Sequence, residues 1–275
     1  MCKMEYPLTM DEQKKYGDAL RKLVDPYVSP ISYFFKDDTT GGYHLGTGSF
    51  IEHEGNRFLI TNHHVAYPKD LGIDLSTISL AFHFNGEGNY VRQNGPFASR
   101  NFPVDVACMA IAENVWEAYH DEACCISPEQ FDTHFNAVDK EFFFLEGFPG
   151  QRARMFSDTL ATKVTPLLTF QRPLVKSYDP NMHFALFYDI DNYRCSGDQD
   201  FLAGPSGMSG SLVWNTKIQE CRQNGVEWTP DMPKVVGIVH HYCSDDKCLV
   251  ATKVECMQRD ILAKEALDAK EEMQA

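Results

Sequence analysis

The sequence predicts an all-β protein, a barrel or a sandwich, with a helix at each end. Three observations lead there. Short runs rich in β-branched and aromatic residues recur along the chain, separated by Gly, Asn and Asp turns. These runs fall into two groups, on either side of a polar connector. No strand–helix–strand alternation is visible, which disfavours a doubly wound parallel sheet.

Each element follows in order. Thr9 and Glu12 have capping-box spacing ahead of "DEQKKYGDALRKLV", so a helix is expected there, ended by Pro26 and Pro30. "ISYFF", "HLGTGSFIEH", "RFLITNHHV", "STISLAFHF" and "VACMAIA" form the first group of strands. "NVWEAYHDEA" reads as a short helix and "SPEQFDTHFNAVD" as a connector. The second group comprises "EFFFLEGFPG", "MFSDTLATKVTPLL", "HFALFYDID", "GSLVW", "KVVGIVHHY" and "CLVATKV". Val254, Met257 and Ile261 then fall at i, i+3 and i+7, predicting a terminal helix docked on the second group. The stretch "NTKIQECRQNGVEWTPDMPK" is longer than a hairpin needs. It is expected to rim a cleft or meet a partner. The resulting division is an extension at 1–30, a first unit at 31–120, a connector at 121–137, a second unit at 138–254 and a helix at 255–275.

Bulk properties narrow the function. A 275-residue chain with 43% hydrophobic residues can bury one large core or two small ones. A net charge of −14 argues against nucleic acid and against an anionic membrane surface as partners. No 18-residue apolar run is present, and the N-terminal residues do not read as a signal peptide. With nine cysteines, an odd number at irregular spacing, the expectation is free thiols in a cytoplasmic protein.

The chemistry concentrates in three places. "GPSGMSGSLVW" is a glycine-rich turn that presents a serine at the mouth of an apolar strand. A serine hydroxyl needs a neighbouring base, usually histidine. His63 and His64 stand where the apolar run "FLIT" meets a polar turn, and Asp105 precedes the apolar "VACMAI". A carboxylate is the usual group to fix an imidazole tautomer.

In the order His, Asp, Ser these pieces resemble the chymotrypsin-like (trypsin-like) serine proteases, closest in flavour to disulfide-poor bacterial members. "LITNHHV" resembles the family's Thr-x-x-His-[Cys/Val] motif and puts the catalytic histidine at His64. "DVACMAI" resembles the Asp-[Ile/Val]-Ala-apolar motif and puts the acid at Asp105. "GMSGSLVW" resembles the nucleophile motif and puts the serine at Ser209, although the usual proline is replaced by Leu212. "GTGSFI", "LEGFPG" and "VVGIVHH" extend the likeness from about Tyr43 to Val254. The resemblance implies two antiparallel six-stranded barrels with the triad between them, and a serine endopeptidase without cofactor or metal. It implies an oxyanion hole from the N–H groups of Gly207 and Ser209.

For the substrate pocket the resemblance places Ala203 at the floor and Val239, His240, His241 and Tyr242 along the wall. Ala203 offers no charge, so a small or medium uncharged residue is expected before the cut. Asp198 and Asp200, close in sequence, are the competing determinants. His240, His241, Cys243 and Cys248 also have zinc-ligand chemistry, but adjacent strand residues point to opposite faces, which favours a pocket wall. Met208 stands where secreted relatives carry the acid that receives a freshly cut N-terminus, so that zymogen switch is not expected. Partners are then a protein or peptide substrate, with room for a regulatory protein. The alternatives are a non-catalytic binding module on the same fold and an esterase-like hydrolase.

Overall fold

The computed structural model describes residues 8–36, 42–69, 74–84, 90–93, 95–156, 159–190 and 203–274. Helix α1 (Met10–Val24) starts at the expected capping box. The Thr9 hydroxyl accepts from the Glu12 N–H, and the Glu12 carboxylate accepts from the Thr9 N–H at 2.8 Å. Pro26 lies in a 3-10 turn just beyond the helix, where its missing N–H costs nothing.

Seven strands follow: β1 (Val28–Phe35), β2 (Gly42–His53), β3 (Asn56–Thr61), β4 (Ile78–His83), β5 (Tyr90–Arg92), β6 (Phe97–Arg100) and β7 (Val106–Ala110). They form one antiparallel sheet in the order β5-β4-β1-β2-β3-β7-β6. A one-turn helix α2 (His63–Ala66) leaves β3, and α3 (Glu113–Tyr119) follows β7. The second half contains β8 (Phe142–Gly147), the hairpin β9 (Arg154–Phe156) and β10 (Thr159–Ala161), β11 (Thr165–Arg172), β12 (His183–Phe187), β13 (Leu212–Asn215), β14 (Lys234–Cys243) and β15 (Cys248–Lys253). Six of these close a barrel in the order β11-β12-β15-β14-β13-β8. Helices α4 (Ile218–Asn224) and α5 (Arg259–Gln274) complete the chain.

The expected two-barrel architecture is therefore present, with a closed six-stranded barrel in the second half. The first sheet has seven strands rather than six. Among the described residues its edge strands β5 and β6 do not pair with each other. Alternation gives each half its own interior. Phe50, Phe82, Phe84 and Trp116 meet edge-to-face and stacked inside the first. Phe143, Phe184, Met208 and Val213 fill the second. A third cluster joins the halves, with Ile60 and Val106 from one and Phe144, Trp214 and Ile238 from the other.

The terminal helices cross over. α1 precedes the first sheet but packs on β8 and β11 of the second half. Tyr16 meets Trp228 edge-on at 5.1 Å, Glu12 pairs with Arg222, and Leu20 and Val24 are buried. α5 follows the second barrel but packs on β6 and β7 of the first. Arg100 clamps Glu265 through two hydrogen bonds of 2.9 and 2.7 Å.

Two expectations are corrected here. The C-terminal helix docks on the first group of strands, not the second. Its buried face is Leu262, Ala263 and Ala266, whereas Ile261 is 55% exposed. The reason is a break in phase: Gln258, at φ +52°, precedes the helix, so Val254 and Met257 are not on it. The long segment after Trp214 does not rim the cleft described below. Lys217, at φ +60°, starts α4 within it, and Arg222 and Trp228 receive α1. No described helix is long and apolar enough to cross a membrane.

Candidate active site

β3 ends at Thr61, and α2 begins two residues later with His63 and His64. The two rings part company. The His63 Nδ1 lies 2.9 Å from the Ser99 hydroxyl and its ring leans on Tyr67. His64 turns to Asp105: Nδ1 lies 2.7 Å from one carboxylate oxygen, and the His64 backbone N–H donates to the other at 3.1 Å. A carboxylate can only accept, so the ring proton sits on Nδ1 and leaves the Nε2 lone pair free.

Asp105 is held firmly. Its φ of +50° is rare for a residue with a Cβ. Its N–H donates to the Asn101 carbonyl, and the Asn62 side-chain amide donates to its own carbonyl at 2.6 Å. Burial raises the carboxyl, but the hydrogen bond and charge of His64 outweigh it, and the net shift is downward. Asp105 is therefore the ionised partner at neutral pH.

Ser209 lies just before β13, at the head of the second barrel. Together with His64 it lines a cleft of about 310 Å³, whose other walls include Ser206, Met208, Val239, His240, His241 and Tyr242. Among the described residues no hydrogen bond joins His64 Nε2 to the Ser209 hydroxyl. The loop carrying Ser209 is shaped by two left-handed glycines, Gly207 at φ +95° and Gly210 at φ +91°. A Cβ on Gly210 would stand 1.8 Å from the Thr47 carbonyl oxygen, so only glycine fits.

The peptide between Ser206 and Gly207 has a defined orientation. Its carbonyl accepts from the Gly150 N–H at 2.7 Å. In a trans peptide the N–H points the opposite way, so the Gly207 N–H is turned from that contact. Among the described residues neither the Gly207 nor the Ser209 N–H has an acceptor. Two unsatisfied donors two residues apart, beside a serine on a cleft, suit a negatively charged oxygen.

Sequence reading missed the residues beneath this loop. Thr47 on β2 ties it down twice and also holds Phe148 beside it. Its hydroxyl donates to the Gly207 carbonyl at 2.8 Å and accepts from the Phe148 N–H at 3.0 Å, and its N–H donates to the Ser209 carbonyl at 2.8 Å. His44, on the same strand, places Nε2 against the Phe148 carbonyl at 2.5 Å and close to Gly207. Burial pushes its pKa down to about 4 despite those carbonyls, so the ring is neutral and Nε2 carries the proton. The small-residue run "GTG" was the available signal, because only small residues let β2 approach the serine loop.

Of the pocket residues, Val239, His240, His241 and Tyr242 line the cleft. Ala203 is buried, its carbonyl accepts from the Tyr188 hydroxyl at 2.8 Å, and it is not among the cleft-lining residues. Asp198 and Asp200 lie outside the described residues. His240 is 6% exposed; burial pushes it down to about 3 against the pull of Asp105. Among the described residues no three His, Cys, Asp or Glu side chains converge as a metal site requires.

No family model and no curated protein matches this sequence. Solved structures do. A thermostable serine protease from an extremophilic microorganism superposes with a TM-score of 0.53 at 9% identity, over 88% of this chain and 98% of that one. A Glu endopeptidase gives 0.49 at 15% identity, over 89% and 94%. A protease of M. tuberculosis in its active form gives 0.49 at 13%, over 91% and 83%. The strand order and the superposition at 0.53 give a chymotrypsin-like two-barrel fold.

Proposed function

We propose that this chain is a serine endopeptidase. Ser209 is the nucleophile, His64 the general base and acid, and Asp105 the group that orients and stabilises the imidazolium. The observation that carries this reading is one constellation: a His64–Asp105 pair with Nε2 left free, on a cleft shared with Ser209 and its two unsatisfied N–H groups. His64 takes the Ser209 proton as oxygen attacks the substrate carbonyl. The developing oxyanion is met by the Gly207 and Ser209 N–H groups. His64 then gives its proton to the leaving amine, and water hydrolyses the acyl-enzyme by the same route.

The pocket reading is that a small or medium uncharged residue precedes the cut. Val239, His240, His241 and Tyr242 support it, since none brings a carboxylate or an ammonium to the wall and Tyr242 takes up room in it. A charged side chain there would lose water without an ionic partner. Limited cleavage of intracellular protein targets is the role proposed, since the free thiols of the described cysteines suit a reducing compartment.

Labelling with a fluorophosphonate, beside the Ser209→Ala variant, tests the nucleophile. Label on Ser209, lost in the variant, is expected. A folded protein that takes no label would leave a binding module. Cleavage of a proteome-derived peptide library then reads the specificity. Strong preference for Arg would overturn the uncharged-pocket reading in favour of an aspartate, and preference for Glu would overturn it in favour of His240 or His241.

A further inference from the structure

Outside the triad, one pair of reactive side chains is set face to face. β14 and β15 join through a tight turn closed by the Lys247 N–H donating to the Ser244 carbonyl at 3.3 Å. The first pair inward is Cys243 opposite Cys248. The Tyr188 N–H donates to the Lys247 carbonyl and the Lys253 N–H to the Met182 carbonyl, so Cys248 turns its backbone groups to β14 and not to β12; Cys243–Cys248 is a hydrogen-bonded pair with both side chains on one face of the sheet. Its expected Cα separation of about 5.5 Å falls within the range a disulfide spans. The two residues share a small apolar cluster with Ala185, Val250 and Tyr178. Both are free thiols, Cys248 buried and Cys243 half-buried. No other two described cysteines face each other across a ladder.

We propose that Cys243 and Cys248 form a reversible dithiol–disulfide site, closed by exchange with a low-molecular-weight disulfide such as oxidised glutathione. The half-buried Cys243 is the entry point. Its thiolate attacks one sulfur of the small disulfide, forming a mixed disulfide and releasing one small thiolate. Cys248 gives its proton to solvent and attacks the Cys243 sulfur, releasing the second small thiol. Two protein thiols are oxidised and one small disulfide is reduced. The enclosed loop is only Ser244 to Lys247, so the bond removes little freedom from the unfolded chain and stays reducible. Burial raises both thiols, Cys248 to about 12, so the dithiol resists stray oxidation.

The position gives the bond a consequence. The next pair inward is Tyr242 opposite Leu249, and both line the cleft. Closing the disulfide fastens that wall one step from where it borders the cleft. This does not depend on the proteolytic reading.

The full chain is equilibrated at mildly alkaline pH across glutathione redox buffers, quenched with iodoacetamide and digested with trypsin. Lys247 separates the two cysteines, so the disulfide appears as a cross-link between VVGIVHHYCSDDK and CLVATK. That species should rise with oxidation, vanish on reduction and be absent from Cys243→Ser. Only a stable glutathione adduct on Cys243, or full alkylation of both at every ratio, overturns the site. Amide exchange at Val239 to Tyr242 should slow by about threefold or more in the oxidised protein. A cross-link with unchanged exchange overturns the coupling to the cleft wall.

Discussion

Replacing Asp105 with asparagine separates the two jobs of its carboxylate. One oxygen accepts the His64 backbone N–H at 3.1 Å and the other the ring Nδ1–H at 2.7 Å. Asparagine has one oxygen and one amino group, so one contact becomes donor against donor. The backbone N–H cannot move its proton, whereas the ring can shift its own from Nδ1 to Nε2. Asparagine therefore turns its oxygen to the backbone and its amino group to Nδ1. The proton moves to Nε2, the atom that must accept from Ser209. The cost of that wrong tautomer is about 10⁴ in kcat, or about 5.5 kcal/mol of barrier. KM should change little, because Asp105 does not line the cleft. Steady-state cleavage of the best library peptide measures both constants, with the thermal midpoint as a check of folding. A folded Asp105→Asn enzyme that keeps more than a tenth of wild-type kcat would refute the tautomer reasoning.

The loop beneath Ser209 yields further tests. Gly207→Ala forces a Cβ into φ +95° and to 2.4 Å from the Phe148 carbonyl oxygen; kcat should fall about 100-fold or more, read with the same peptide. Thr47→Val keeps the shape but strands the buried Phe148 N–H and frees the Gly207 carbonyl. Stability should drop by about 1–3 kcal/mol in urea titration, with kcat falling alongside. Glu146 is fully buried on β8, and burial first, then nearby Asp25, raises its carboxyl well above the usual range. A raised folded pKa stabilises fully below the unfolded value and is lost as pH climbs through the folded one. Glu146→Gln should therefore raise the thermal midpoint by about 2 °C or more at pH 8 relative to its effect at pH 4; an equal effect at both would refute it.

What was legible in the sequence was local. The capping box at Thr9 and Glu12 needs three residues of chain, and it formed as read. The strand runs announced themselves through β-branched and aromatic residues bounded by turns. The three chemical motifs were legible because each combines a fixed backbone shape with one reactive side chain. What was hidden depended on distance. Thr47 and Gly207 meet across 160 positions, and nothing in either neighbourhood names the other. The docking of α5 was misread because a left-handed residue, Gln258, interrupts the helical period. Helix α4 was hidden because it begins from another such residue, Lys217, inside a segment that looked like loop. Ala203 was placed by motif spacing alone, and its burial beneath Tyr188 reflects a tertiary hydrogen bond.

The crossing of the terminal helices makes the two halves a poor place to divide the gene. Each barrel is roofed by an arm whose sequence belongs to the other end of the chain: Leu20 and Val24 seal the later half, Leu262, Ala263 and Ala266 the earlier one. A fragment ending in the connector would carry one helix with nothing to cover and one sheet with nothing to cover it. A backbone broken in that same connector after folding would hold together, because each piece still grips the other by its arm. The cleft lined by His64 and Ser209 lies between these interlocked pieces, so the two residues keep their relation through the helices at the back as well as through the barrels themselves.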